Sequence, residues 1–479
     1  MNRISEYDTT RQALASLFEE RFGCLPASIV RMPQGGGDRV YYRLGAPEGC
    51  SPASAVGVYG PDLRENEAFV GLTRVFFEAG IPVPRLYATG DGGHCYLLED
   101  LGDTQLLSLI LKGEGMELCR SSLADLAAMQ SVDRSRWERL CMARPFSRRQ
   151  VMWDLNYFKY EYLKPSAVAF DEEALEDDFE RLADTLTDVP ESTVGFMFRD
   201  FQSRNVMVDR GYPRFIDYQG GRPGPVVYDA VSFLWQAKAG FTAAVRRELI
   251  ELYAAEFACR RGIDASEITG QVPRFALFRT LQVLGAYGFR GLVEHRAHFL
   301  ESIPGALANL AELLDSGALD GCPELKRVCR VLAADPRFAP VGHDGLTVTV
   351  FSFSYKKGYP ADYSGNGGGF MFDCRAMHNP GRYAEYKNLT GRDEAVIAFL
   401  EERGEVQPFL ASAHELTDKA VRRYLDRGFS SLQIGFGCTG GQHRSVYCAE
   451  ATARHIAALF PEAHVRLVHR EQNIEETIQ

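Results

Sequence analysis

The chain has 479 residues, long enough for two or three separately cored domains. Its 46% hydrophobic and 24% charged residues are an ordinary soluble balance, and a formal net charge of -11 argues against a general nucleic-acid or anionic-membrane binder, whose surface needs excess Lys and Arg. Eleven scattered cysteines with no Cys-x-x-Cys indicate neither a disulfide framework nor a zinc knuckle, and fit a reducing cytoplasm.

The opening MNRISEYDTTRQALASLFEE reads as an amphipathic helix rather than a signal peptide, and no later stretch has the uninterrupted apolar length of a membrane span. Residues 27–100 predict a β-rich lobe: SIVRMPQGGGDRVYYRL, SAVGVYG and CYLLEDL as strands, with a helix in ENEAFVGLTRVFFEAG that stops at Gly80 before Pro82 and Pro84. From 104 to 335 the apolar spacing is mostly helical, interrupted by the short runs VMV and RFIDY. DPRFAPVGHDG has the punctuation of a linker, and beyond it strands and helices alternate as in a compact α/β domain. The expected organisation is an α+β bilobal unit (lobes 1–103 and 104–335), a linker at 336–344, and a separate α/β domain at 345–479.

The central chemistry lies in Phe198-Arg199-Asp200-Phe201-Gln202-Ser203-Arg204-Asn205, followed by Phe215-Ile216-Asp217-Tyr218. Phosphoryl transfer needs a carboxylate to orient the attacking hydroxyl and oxygen ligands for the metal that neutralises the phosphates. Asp200 suits the first role, Asn205 and Asp217 the second. Asp and Asn also favour plain turns, but the ordered set, with Tyr228-Asp229 downstream, favours a site. This arrangement resembles the catalytic loop and metal-binding Asp of the protein-kinase and aminoglycoside-phosphotransferase superfamily. The resemblance implies ATP and magnesium as cofactors, with Arg199 and Asp229 supporting the loop.

Upstream, Gly35-Gly36-Gly37-Asp38 can bring backbone close to nucleotide phosphates, although such a turn alone fits a simple hairpin. With Arg39 to Leu44 and Leu98-Glu99-Asp100-Leu101-Gly102-Asp103, it resembles the bacterial sugar kinases related to the anomeric N-acetylmuramate and N-acetylglucosamine kinase. That likeness implies a hinge at Leu98 to Leu101, including Glu99, that meets adenine. It also implies transfer of the ATP γ-phosphate to the anomeric hydroxyl of an amino sugar. Two departures stand out. Phe198 replaces the usual His, and no lysine precedes Lys112, so the strand lysine that pairs with the α and β phosphates is missing. Arg39 or Arg43 can substitute, since guanidinium forks onto phosphate; Glu67 is the candidate partner or a solvated helix residue. A nucleotide-binding pseudokinase acting as a sensor or adaptor is the alternative. Gln219 and Arg222 are the expected acceptor contacts. Trp153, Tyr157 and Tyr160 have the spacing of a core-facing stripe, with sugar stacking as the alternative for them and Asp154.

Near the carboxyl end, Cys438-Thr439-Gly440-Gly441-Gln442-His443-Arg444-Ser445 joins an apolar strand to a long helix, a natural phosphate cradle. Cys438 with Arg444 and Ser445 also satisfies the spacing of a cysteine-dependent phosphatase. With Ser352 to Lys356, Phe372-Asp373-Cys374-Arg375, Asn379-Pro380 and Leu389-Thr390-Gly391, the loop resembles the carboxyl-terminal domain of the RNase adaptor family RapZ. That resemblance implies non-catalytic binding of glucosamine-6-phosphate or a similar sugar phosphate through Cys438, Thr439, Gly440, Gly441, His443, Arg444 and Ser445. RapZ proteins carry a P-loop domain and a basic RNA-binding tail. Here no G-x-x-x-x-G-K-[ST] occurs and the chain ends EQNIEETIQ, so a role towards RNA is not carried over.

Overall fold

The computed structural model describes residues 2–33, 38–294, 297–300, 302–335, 345–360 and 369–478. The chain divides into two compact units, Met1–Ala286 with Gly305–Ala334, and Tyr287–Pro304 with Asp335–Gln479. The expected linker at 336–344 and the turn Gly35 to Gly37 lie outside the described residues.

The first unit opens with a helix, Asn2–Phe22, whose Leu14, Leu17 and Phe18 pack on Tyr42, Leu44, Ala55 and Leu97 of a sheet. That sheet is β1 (Ser28–Arg31), β2 (Val40–Gly45), β3 (Ser54–Tyr59), β4 (Leu86–Thr89) and β5 (Cys95–Glu99), in the order β1-β2-β3-β5-β4 and antiparallel throughout. β4 has only four residues and was not foreseen. The helix Leu63–Glu78 begins at Asp62, whose side chain accepts from the Arg64 and Glu65 amides, and buries Phe69, Leu72 and Phe76.

Below this sheet the unit is helical, as the spacing predicted. Two small antiparallel ladders hold the central motif: β6 (Val194–Met197) with β9 (Arg222–Pro225), and β7 (Val206–Asp209) with β8 (Tyr212–Phe215). Buried aromatics join the layers. Phe69 stacks on Tyr218 at 5.2 Å between ring centroids, and Tyr218 meets Phe198 edge-on at 6.0 Å. Phe198 also packs edge-on against Phe201. The residue that replaces the superfamily His thus supports the loop through apolar packing.

The second unit has a five-stranded sheet: β10 (Thr347–Ser354), β11 (Gly369–Asp373), β12 (Ser431–Cys438), β13 (His464–His469) and β14 (Ile474–Ile478), ordered β11-β12-β10-β13-β14. The first four in that order are parallel and β14 is antiparallel, a strand the sequence reading did not foresee. Helices Glu394–Glu402, Val406–Asp426 and Arg444–Leu459 supply the core with Val396, Val421 and Ile456. Among the described residues no helix is long and apolar enough to cross a membrane.

Candidate functional site

In the first unit the loop between β6 and β7 brings three expected residues together. The Asn205 amide donates to the Asp200 carbonyl at 2.9 Å and to Asp217 Oδ2 at 3.3 Å. One side chain therefore ties the loop to the Asp that follows β8. The Asn205 oxygen has no protein partner among the described residues, and Asp200 presents an exposed carboxylate. Asp217 is exposed at its outer edge, yet its carboxyl packs against protein closely enough that burial, then Asp200, lifts it above the usual carboxylate range. Carboxylate and amide oxygens are hard donors of the kind magnesium takes, so these residues fit the implied metal. Arg199 and Asp217 both sit in the left-handed region, at φ 80° and 71°. Non-glycine residues adopt it at a cost of about 1–3 kcal/mol, which the surroundings must offset.

The surroundings are closely hydrogen-bonded. Asp229 is fully buried and accepts from the Phe198 amide at 2.7 Å, the Arg199 amide at 2.9 Å and Gln130 Nε2 at 2.8 Å. Burial lifts its carboxyl to about 7 against the pull of those donors. The Tyr253 hydroxyl donates to Gln130 in turn. The Arg199 guanidinium pairs with Asp154 at 3.0 Å and lies over the Tyr228 ring, while Gln282 Nε2 also donates to Asp154, at 2.8 Å.

Arg39 is buried just before β2 and forms an ion pair with Glu65 at 3.0 Å. Gln219 Nε2 donates to Asp217 Oδ1 at 2.9 Å and to Glu65 Oε1 at 3.4 Å. A continuous chain thus runs Arg39–Glu65–Gln219–Asp217. Arg39 has the cation-carboxylate pairing expected in place of a strand lysine, and its partner is Glu65, whereas Glu67 is exposed. Arg43 instead pairs with Asp100 at 2.8 Å and Asp103 at 2.8 Å, just after β5. Glu99 accepts from the Arg85 amide and pairs with Arg214, and Leu101 is buried. Gln219, expected at the acceptor, is bonded to Glu65 and Asp217, while Arg222 is half-buried at the start of β9.

The aromatic stripe is a correction. Trp153 is 65% exposed and Tyr160 54%, and Tyr157 is exposed as well. The helix Arg148–Phe158 buries Val151, Leu155 and Phe158 instead, which turns Trp153 outward. Sequence reasoning also missed Glu65 and Gln130.

In the second unit Cys438 ends β12, buried, with Ser445 Oγ 3.1 Å from its sulfur and the Gly441 amide donating to it at 3.2 Å. Burial works to raise the thiol, but Ser445 and the Gln442 and Gly440 amides outweigh it and lower it. Gly441 has φ 66°, and a Cβ there would lie 2.4 Å from Glu471 Cγ, so the turn requires glycine. Thr439 and Gly440 are exposed. The remaining two side chains face inward: His443 Nε2 contacts the Tyr386 carbonyl at 2.9 Å, and Arg444 donates to the Met377 carbonyl at 2.7 Å and that of Arg375 at 3.1 Å. The exposed rim of the cradle is therefore backbone and threonine.

Residues 30–263 match the phosphotransferase enzyme family and residues 346–473 the RapZ C-terminal domain. A nucleotide-binding protein of Xanthomonas axonopodis pv. citri is 42% identical over 137 residues, 28% of this chain and 46% of that protein. One from Ruegeria pomeroyi is 35% identical over 179 residues, 37% of this chain and 57% of its own. The chain spans about half the length of these curated relatives. Among solved structures, a putative aminoglycoside phosphotransferase from Ralstonia eutropha superposes with a TM-score of 0.47 at 14% identity, covering 67% of this chain and 98% of that one.

Proposed function

The chain carries a phosphotransferase-family domain followed by a RapZ C-terminal domain, and from that premise we propose that it is an ATP-dependent kinase of an amino sugar, of the N-acetylmuramate or N-acetylglucosamine type, acting at the anomeric hydroxyl. The observation that carries this reading is the Asn205 amide holding Asp200 and Asp217 on one site. Asp200 orients the acceptor hydroxyl and takes its proton, while Asn205 and Asp217 hold magnesium. Bound there, the metal would neutralise phosphate charge. Arg39, fixed by Glu65, takes the nucleotide phosphates. A reducing cytoplasm suits the free cysteines.

Incubation with γ-labelled ATP, magnesium and N-acetylmuramate, N-acetylglucosamine or glucosamine is expected to label one sugar. If ATP binds and no sugar is labelled, the kinase reading fails and the sensor reading replaces it. Arg39→Ala is expected to raise the KM for ATP about tenfold or more, with a smaller effect on acceptor KM, because it removes one charge-assisted phosphate contact. Steady-state kinetics in each substrate checks this. An unchanged ATP KM would leave the phosphate-pairing role without a residue.

The second unit we read as a binding domain for an amino-sugar phosphate such as glucosamine-6-phosphate. Its exposed rim at Thr439 and Gly440 offers a hydroxyl and open space to a phosphate, while the Gly440 amide turns to Cys438. Arg444 faces carbonyls, which disfavours the phosphatase chemistry, since that needs the guanidinium on the phosphate. Calorimetry is expected to show binding of glucosamine-6-phosphate that Gly440→Val weakens about tenfold or more by crowding the rim. Equal affinity in the variant would move the site elsewhere.

A further inference from the structure

Resting on the kinase reading, the state of one arginine narrows the acceptor. Of the guanidiniums near Asp200, Arg39 pairs with Glu65, Arg43 with Asp100 and Asp103, and Arg199 with Asp154, while Arg204 is exposed to solvent and makes no ion pair among the described residues. Arg222 makes no ion pair among the described residues. Its Nη2 donates to the Gly220 carbonyl at 3.3 Å, and its Nε is buried without a partner. Strand pairing fixes where it lies. Arg222 sits opposite Met197 in the β6–β9 ladder, and Met197 is three residues before Asp200. Burial first, and then the charge of Arg199, hold this guanidinium below its usual range, whereas Arg39, Arg43 and Arg199 are raised. The weaker attractions that Arg222 feels come from Tyr228, Asp154 and Asp200, so its guanidinium lies within electrostatic reach of the loop. A half-buried cation beside a second cation, with no counter-ion of its own, is costly in the empty protein and is relieved by a bound anion.

We propose that the acceptor carries an anionic group, a carboxylate or a phosphate, and that Arg222 pairs with it while Asp200 addresses the hydroxyl. Arg222 then determines specificity rather than rate: it selects an acidic sugar over its neutral counterpart. The fork of a guanidinium suits either anion.

The test is equilibrium binding to the full chain in the presence of AMP-PNP and magnesium, which reads the pocket whether or not transfer occurs. N-acetylmuramate is compared with N-acetylglucosamine for the carboxylate, and N-acetylglucosamine-6-phosphate with N-acetylglucosamine for the phosphate. One acidic sugar is expected to bind at least about tenfold more tightly than the neutral one. Arg222→Gln should abolish that preference while leaving the neutral sugar unchanged, and Arg222→Lys should retain part of it. Comparison of the parent chain with Arg222→Gln separates this site from sugar-phosphate binding in the second unit. Equal binding of acidic and neutral sugars by the parent chain overturns the proposal. So does an equal loss for both sugars in Arg222→Gln, which would assign the guanidinium to the transferred phosphoryl group or to the fold. Failure of the kinase reading looks different: the preference is present, but no label is transferred.

Discussion

Asp200→Asn is expected to lower kcat for sugar phosphorylation by about 10²–10⁴-fold while changing the Kd for ATP by no more than about twofold. The carboxylate is exposed and, among the described residues, not committed to another protein group, so its replacement disturbs little packing. Asn205 bonds to the Asp200 carbonyl, not to its side chain, and the loop keeps its shape in the variant. The loss therefore falls on proton acceptance and on orienting the hydroxyl, interactions that strengthen only as the bond forms. Single-turnover measurement with labelled ATP, alongside nucleotide titration, checks both halves. Full activity in the variant would remove Asp200 from the chemistry.

Asp229→Ala is expected to destabilise the first unit by about 3–5 kcal/mol and to cost most of the turnover. Three donors lose their acceptor at once: the Phe198 and Arg199 amides and Gln130. Those amides hold Arg199 in its left-handed turn, so the segment that presents Asp200 loosens with them. The same carboxyl gives a pH dependence of definite sign. Burial raises it in the folded state to about 7, above an ordinary unfolded value near 3.9. Its contribution is therefore fully present below pH ~4 and is lost as pH rises through about 7. Urea unfolding of the parent chain should show this group's share of the stability falling between about pH 4 and pH 7, and the variant should lack that component. A variant with unchanged stability would mean the buried carboxylate supports nothing.

The convergence of Asp200, Asn205 and Asp217 was legible because they declare themselves by residue type and spacing, and two short apolar runs between helical segments marked the ladders beside them. Arg39 was readable as a stand-in cation, but its partner was misplaced by two residues. The signal existed: Glu65 precedes Phe69, Leu72 and Phe76 by 4, 7 and 11, so it leads the buried stripe, while Glu67 falls on the opposite face. Trp153, Tyr157 and Tyr160 misled because a competing set, Val151, Leu155 and Phe158, has the same period, and periodicity alone does not say which set is inside. β14 escaped notice because an edge strand of alternating half-buried and exposed positions needs few apolar residues. At the second loop the residue types pointed to anion binding, but the direction of Arg444 and His443 depends on carbonyls that lie 57 to 69 residues away in sequence, where no local pattern reaches.

The left-handed backbone at Arg199 and Asp217 has a consequence for how this enzyme can be improved or degraded by selection. Glycine adopts that region freely, so a screen that rewards only thermal persistence should enrich Gly at positions 199 and 217. Each such change would remove a guanidinium or the carboxylate that Asn205 holds. Persistence and turnover are opposed at these two positions, and their side chains are kept only while the reaction itself is under selection.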